Sequence, residues 1–147
     1  MQHWLTVHYP PDMNLDQTLD GSHAYARDTG IWVPEKWAER FDDLAQDDLV
    51  AIYQAKYDPS RPRSAYRRGL GGVVAIGRVK KRVRKKEDSG WIKLAVVEVS
   101  AYNPDGLPRA ELNPMLGYQA NARIRGGGGM RKISHSAFRK IEARLRA

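Results

Sequence analysis

The side chains best suited to chemistry in this chain are basic and aromatic, and they favour the binding of a polyanion. Residues 56–68 form a predicted loop with two prolines, a basic tip, and Tyr57 and Tyr66 as rings for stacking. Further along, basic residues recur at every second position over residues 78–84. Lysine and arginine bind phosphates, and aromatic rings stack on bases. The residues expected to hold a nucleic-acid backbone are Arg61, Arg63, Arg67, Arg68, Arg78, Lys80 and Arg82.

Residue patterns for catalysis are not found. The sequence has no cysteine, no Gly-x-Ser-x-Gly motif and no pair of carboxylates within an apolar run. Its four histidines lack the spacing of metal ligands, and Gly126–Gly129 lacks the Gly-Lys-Ser/Thr ending of a nucleotide-binding loop, which favours a flexible connector. We therefore expect a protein that is not an enzyme and that uses no metal and no cofactor.

Charge is distributed unevenly along the chain. Residues 1–48 contain ten acidic and three basic residues, a net charge of −7, whereas residues 49–147 contain 22 basic and seven acidic residues, a net charge of +15. This asymmetry favours a basic face that binds a polyanion, although charge that only maintains solubility is the alternative.

The length of 147 residues predicts a single domain over residues 1–147. No apolar run approaches the roughly 20 residues of a membrane span, and no signal peptide is recognised. We expect a cytoplasmic monomer without membrane contact. Because a strand is predicted almost at Met1, we also expect the domain to be complete at its N-terminus, or the chain to be a natural short protein.

Strands are predicted where short apolar runs are bounded by turn residues. These runs are His3–Val7, Leu49–Gln54, Val73–Val83 and Trp91–Val99, and Glu87–Gly90 is a predicted hairpin turn between the last two. A period of two along the third strand places its basic residues on one face of the sheet. That face is predicted to carry Arg78, Lys80, Arg82 and Arg84, opposite Val73, Ala75, Gly77, Val79 and Val83.

Two helices are predicted, one of them from Pro34 to Ala45. There Trp37, Phe41 and Leu44 follow the spacing of an amphipathic helix, with Trp37 in the core. The second helix closes the chain after a Ser134 or Ser136 cap. Residues 12–30 are a predicted long loop, residues 102–117 have no predicted element, and residues 118–125 are a candidate last strand. This order predicts an α+β domain with a small, strongly bent sheet.

Several segments together resemble one known family. Four segments resemble EVE domains of the PUA-like superfamily: Trp4-Leu5, the predicted loop Gly30-Ile31-Trp32, Asp48 to Tyr53 and Gly72 to Val79. The C-terminal Ile133-Ser134, followed by Phe138 and Ile141, is similar to the closing segment of EVE-like modules attached to modification-dependent restriction systems. The chain departs from the family where His8-Tyr9-Pro10 replaces Ser-Glu-Pro, and where Gly30-Ile31-Trp32 replaces a longer signature.

The resemblance implies a PUA-like pseudo-barrel with flanking helices, which recognises a modified base such as 5-methylcytosine. The base would be flipped out of a duplex or presented on a single strand, and held against aromatic rings. The implied pocket residues are Trp4, His8, Trp32, Tyr53 and Trp91. Core packing is the alternative for the four aromatic residues, and a plain surface position is the alternative for His8.

The resemblance leaves the partner open. It is DNA with modified bases or RNA, and a separate effector nuclease is a further candidate partner. One alternative function is that of an RNA-processing nuclease of the related ASCH type, in which Lys56, Tyr57 and nearby arginines would assist cleavage. The other alternative is a protein-interaction module whose basic face meets an acidic partner.

Overall fold

The computed structural model of the protein describes residues 1–8, 28–55, 71–88, 90–120, 122, 124 and 130–147. Within these ranges six strands form one sheet in the order β2-β5-β4-β3-β1-β6. They are β1 (His3–His8), β2 (Asp28–Pro34), β3 (Leu49–Gln54), β4 (Gly72–Glu87), β5 (Gly90–Pro108) and β6 (Met130–Lys132). The helices are α1 (Arg109–Met115) and α2 (His135–Arg146). β1 and β3 are parallel and the other pairs are antiparallel, so the α+β class is confirmed with a mixed sheet.

Apolar side chains are buried on both faces of the sheet. On one face, the turn-side face, Phe41 and Leu44 of the segment after β2 pack against a cluster that includes Trp4 and Val79. On the other, the helix-side face, α1 and α2 cover a second cluster with residues such as Leu112, Phe138 and Ile141. Each large apolar side chain buried in this way contributes about 1.5–3 kcal/mol. The sheet is therefore held from both sides, as an α+β layer structure requires.

The predicted helix from Pro34 to Ala45 is wrong. Residues 28–34 form strand β2, because Ile31 and Val33 alternate into the core and the segment pairs with β5. Gly30-Ile31-Trp32 therefore lies in a strand, where a loop was predicted. After the strand come two short 3-10 turns, Glu35–Trp37 and Phe41–Asp43. The apolar spacing that suggested a helix is used here by turns that seat Phe41 and Leu44 against the sheet.

Strand β4 does not present one basic face, and this corrects the prediction for residues 78–84. Val79 pairs with Val97 and Lys81 pairs with Val96, so one extra residue stands in β4 as a β-bulge. Since side chains alternate along a strand, the bulge reverses the face of every residue beyond it. Arg82 and Arg84 consequently lie on the turn-side face, whereas Arg78 lies on the opposite face with Lys81.

The predicted hairpin is confirmed, and its strands are longer than expected. β4 and β5 pair from Glu87 and Gly90 at the tip to Gly72 and Pro108 at the base. Further register shifts along the pair coincide with a close approach of the two backbones, since a Cβ on Gly77 would lie 2.5 Å from the Glu98 carbonyl oxygen. Bulges of this kind bend a strand and increase its twist.

The second half of the chain contains one element that was not predicted. β5 continues to Pro108 and α1 follows directly, although residues 102–117 were expected to form neither strand nor helix. Pro108 caps the helix in an extended conformation and Pro114 lies in its last turn, so both prolines occupy helix ends. Residues 118–120, 122 and 124 are not in a strand; the last strand is β6, which pairs with the side of β1 opposite to β3.

The closing helix is confirmed with its cap. The Ser134 hydroxyl accepts a hydrogen bond from the Ala137 amide at 3.0 Å, which satisfies one of the free N–H groups at the start of α2. The apolar residues of the helix face the sheet, and basic residues end it. Neither α1 nor α2 is long and apolar enough to cross a membrane.

Candidate nucleic-acid interface

The exposed half of β4 carries the densest charge in the described part of the chain. Seven of the nine residues 78–86 are lysine or arginine, and all of residues 80–87 are exposed. β3 pairs with β4 only as far as Arg78, so among the described residues the rest of β4 pairs with β5 alone. We call residues 78–86 together with Trp91 and Lys93 of β5 the basic hairpin.

On its turn-side face the basic hairpin is bound by acidic groups from the segment after β2. The Arg84 guanidinium donates two hydrogen bonds to the Glu35 carboxylate, at 2.8 and 3.0 Å. The Lys93 ammonium lies 2.7 Å from the Asp42 carboxylate, and Arg82 donates to the Asp42 carbonyl oxygen at 2.9 Å. Much of the charge on this face is therefore balanced within the protein.

The contact between Glu35 and Arg84 shifts the pKa of both groups in the direction that favours their charged forms. The hydrogen bonds from Arg84 lower the pKa of the Glu35 carboxyl below its usual value. The same contacts raise the pKa of the Arg84 guanidinium. Both groups are thus charged at neutral pH, and the arginine is held in one orientation.

The opposite face of the hairpin is less balanced. Lys81 has no ionic partner within the described residues, and Lys85 lies 3.2 Å from Glu87 at the hairpin end. Arg78 contacts the exposed carboxylates of Asp47 at 3.2 Å and Glu98 at 3.6 Å. Ion pairs this exposed exchange readily with solvent ions. This face can therefore offer its cations to phosphates.

Trp91 lies near the tip of the same hairpin and is 39% exposed. The Arg84 guanidinium carbon is 3.9 Å from the centre of its ring, and the Lys86 ammonium is 5.5 Å from that centre. Both contacts are within the range of cation–π attraction. The hairpin therefore combines cations with an exposed aromatic ring, the two features that bind single-stranded nucleic acids.

The predicted pocket residues Trp4 and Tyr53 are placed on opposite faces of the sheet. Trp4 is 2% exposed in the turn-side cluster, and its indole N–H donates to Asp48 at 3.0 Å. Tyr53 is 4% exposed in the helix-side cluster, where burial raises the pKa of its hydroxyl. The structure does not bring these two rings together, and both take part in core packing.

The other predicted residues lie partly outside the described part. His8 ends β1 and Trp32 lies in the middle of β2, paired through its backbone with Leu94, but their side chains are not among those described. The basic loop with Arg61, Arg63, Arg67 and Arg68 lies outside the described residues as well. The pocket around Trp32 and the loop contacts to phosphate stay predictions.

Asp48 is a buried carboxylate, which was not predicted from the sequence. It is 3% exposed and accepts hydrogen bonds from the backbone amides of Gln2 and Ala45, in addition to the Trp4 indole. Burial raises the pKa of Asp48, but these hydrogen bonds and the N-terminal amine outweigh it and hold the pKa below its usual value. No spacing in the sequence signals such a carboxylate, since two of its donors, Gln2 and Trp4, lie more than 40 residues earlier in the chain.

Titratable side chains do not gather into a metal site in the described ranges. No group of three or more histidine and carboxylate side chains there could hold a metal ion. Two histidines, His3 and His135, contact each other, with ring nitrogens 3.2 Å apart.

No protein-family profile matches this chain, and no curated protein is significantly similar to it. The resemblance to EVE domains stays a prediction.

Proposed function

We propose that this protein is a non-enzymatic, cytoplasmic nucleic-acid-binding protein of the PUA-like class that reads a modified base. The observation that carries the proposal is the basic hairpin, in which seven of nine consecutive residues are basic and an exposed tryptophan stands beside them. A hairpin that extends beyond the core with this composition is suited to a phosphate backbone.

The backbone contacts are proposed for the less balanced face of the hairpin. Arg78, Lys81 and Lys85 lie there, and the acidic neighbours of Arg78 and Lys85 are exposed carboxylates that phosphates can replace. Contacts of this kind set the affinity and its salt dependence, and they carry little sequence information. Specificity must come from another part of the surface.

The specific contact is proposed for Trp32, with 5-methylcytosine or a related base as its ligand. The support is the resemblance of Gly30-Ile31-Trp32 to the pocket segment of EVE domains, together with the position of β2 beside β5, which carries part of the basic hairpin. A base that leaves its stack needs an aromatic face, and each such stack contributes about 1–3 kcal/mol. The nucleic acid is DNA or RNA, and an effector nuclease on a separate chain would act on the bound target.

Fluorescence anisotropy with matched oligonucleotides tests the proposal. Single-stranded and duplex forms carry cytosine, 5-methylcytosine, 5-hydroxymethylcytosine, adenine or N6-methyladenine at one position. We expect one modified base to be preferred by the wild-type protein. The Trp32→Ala variant is expected to lose that preference and to retain the salt-dependent binding common to all oligonucleotides.

Other outcomes would assign a different function. Equal, salt-sensitive binding to every oligonucleotide would leave a nucleic-acid-binding protein and remove the modified-base reading. Cleavage of labelled RNA by the purified protein would support the nuclease of the ASCH type. Binding with neither salt dependence nor base preference would favour a protein-interaction module.

A further inference from the structure

Trp91 occupies an unusual position for the largest apolar side chain. It is the second residue of β5, opposite Lys86 at the solvent-exposed end of the hairpin, and 39% of it is exposed. The other three tryptophans are Trp4, which is buried, and Trp32 and Trp37, whose side chains lie outside those described. Packing alone does not require a tryptophan at this exposed site.

The ring is held in place by charged neighbours. Arg84 is anchored by its two hydrogen bonds to Glu35, and its guanidinium carbon lies 3.9 Å from the centre of the indole ring. Lys86 supplies a second cation 5.5 Å from the same centre. Because Arg84 is already occupied by Glu35 and Trp91, its role is to orient the indole, while Lys86 remains beside it as a cation.

The resemblance to EVE domains places Trp91 among the pocket residues. We propose instead that Trp91, oriented by Arg84, is a stacking platform for an unpaired base of single-stranded nucleic acid, separate from the pocket predicted around Trp32. This inference rests on the proposed function, since it assumes that the basic hairpin binds nucleic acid. Lys86 then binds the phosphate next to the stacked base.

The chemistry of the platform selects unpaired over paired bases. In a duplex each base face is covered by its neighbours, so an aromatic ring on a protein surface reaches a base face only at ends or at flipped positions. On a single strand every base offers a face, and stacking on an aromatic ring tolerates any sequence. A partly exposed indole flanked by cations therefore suits a single strand of any sequence.

The test compares Trp91→Leu and Trp91→Phe with the wild-type protein. The probe is an unmodified oligonucleotide of about 12 nucleotides, used as a single strand and as a duplex, so that a modified-base pocket contributes nothing to the comparison. Leucine keeps an apolar side chain and removes the aromatic face, whereas phenylalanine keeps a face for stacking. Circular dichroism thermal unfolding of both variants verifies that the fold is retained.

We expect Trp91→Leu to weaken single-strand binding by at least about fivefold, and Trp91→Phe to retain most of the affinity. Duplex binding, and the slope of log affinity against log salt for the single strand, are expected to stay at the wild-type values, because no phosphate contact is removed.

Two results would refute the stacking platform, and they differ in what they mean for the proposed function. If the wild-type protein binds no nucleic acid, the proposed function fails and the platform fails with it. If the wild-type protein binds and Trp91→Leu leaves single-strand affinity unchanged, or weakens duplex binding equally, the platform is refuted and the proposed function stands.

Discussion

At the scale of single residues, the structure depends on one buried carboxylate. Asp48 joins the N-terminal end of β1 to the start of β3, because it accepts hydrogen bonds from Gln2, Trp4 and Ala45. The amide of the next residue, Leu49, donates to the Gln2 carbonyl oxygen at 3.0 Å and adds a backbone hydrogen bond between the same two segments. The hydrogen bond from its indole N–H to Asp48 thereby holds Trp4 in the core, where it is buried.

The substitution Asp48→Asn tests this role. The amide of the new side chain would present N–H groups to donors, so at least one buried N–H would lose its acceptor. We expect the free energy of unfolding to fall by about 2–4 kcal/mol, the usual effect of losing hydrogen bonds to a buried charged group. Urea unfolding at neutral pH measures the change.

The adjacent carboxylate provides the control for this substitution. Asp47 has a positive φ of 72°, which asparagine tolerates, and its side chain makes an exposed ion pair with Arg78. Asp47→Asn is therefore expected to change the free energy of unfolding by less than about 1 kcal/mol. Equal losses in the two variants would contradict the role given to Asp48.

The contacts of single side chains were the least predictable from the sequence. Large aromatic side chains such as Trp4 and Tyr53 occur both in protein cores and in binding pockets. The alternation of side chains in the folded sheet places these two on opposite faces, and the sequence alone does not show this. The Glu35–Arg84–Trp91 arrangement joins residues that are far apart in the chain. Side-chain type suggested Trp91 as a binding residue, but its neighbours could not be predicted.

At the scale of elements, helix α2 is joined to strand β1 by a histidine pair. The His135 ring nitrogen lies 3.2 Å from that of His3, the His3 ring also packs against Phe138, and the Ile133 amide donates to the His3 carbonyl oxygen at 2.9 Å. Burial lowers the pKa of His3, and His135, Arg139 and the N-terminal amine lower it further, although Asp48 opposes them.

The lowered pKa of His3 predicts that the free energy of unfolding depends on pH. Because the pKa of His3 in the folded protein is below its ordinary value of 6.5, the unfolded chain binds the proton more readily. The contribution is fully present above pH 6.5 and is lost as the pH falls from there towards the lower, folded-state pKa. The free energy of unfolding, measured by urea at several pH values from about 7 down to about 5, is expected to fall less steeply in His3→Gln than in the wild-type protein.

This range of pH separates the effect of His3 from that of Asp48. Asp48 has its pKa below 3.8, and its contribution is lost only as the pH falls through that lower value. Parallel pH profiles for His3→Gln and the wild-type protein would show that the pair does not couple α2 to β1 by its protonation.

Elements with a local signal were predictable from the sequence, and those set by tertiary contacts were not. β1, β3 and α2 have short apolar periods with clear ends, such as the Ser134 cap, and the structure confirms them. The segment 34–45 has helical spacing, but Glu35 and Asp42 bind Arg84 and Lys93 of the hairpin and the segment forms 3-10 turns. The bulge beyond Val79 depends on the pairing of two strands and has no local signal.

At the scale of the whole molecule, the uneven charge of the chain is partly cancelled by folding. The acidic first third does not stay apart from the basic part, because Glu35, Asp42 and Asp47 lie against the hairpin. Glu35 and Asp42 balance the turn-side face of the hairpin, and the opposite face, with Lys81 and Lys85, keeps its exposed cations. Net charge alone predicted a basic face but could not tell which face of the strand it would be.

Substitution of Lys81 tests whether the less balanced face of the hairpin binds phosphates. Lys81→Glu and Lys140→Glu make the same change of charge at two exposed lysines, the second on helix α2. The measurement is the slope of log affinity against log salt concentration for a single-stranded oligonucleotide. We predict that Lys81→Glu weakens binding and makes the slope shallower by about 0.7–1, and that Lys140→Glu leaves the slope at the wild-type value. Equal slopes for the wild-type protein and both variants would show that this face of the hairpin does not bind phosphates.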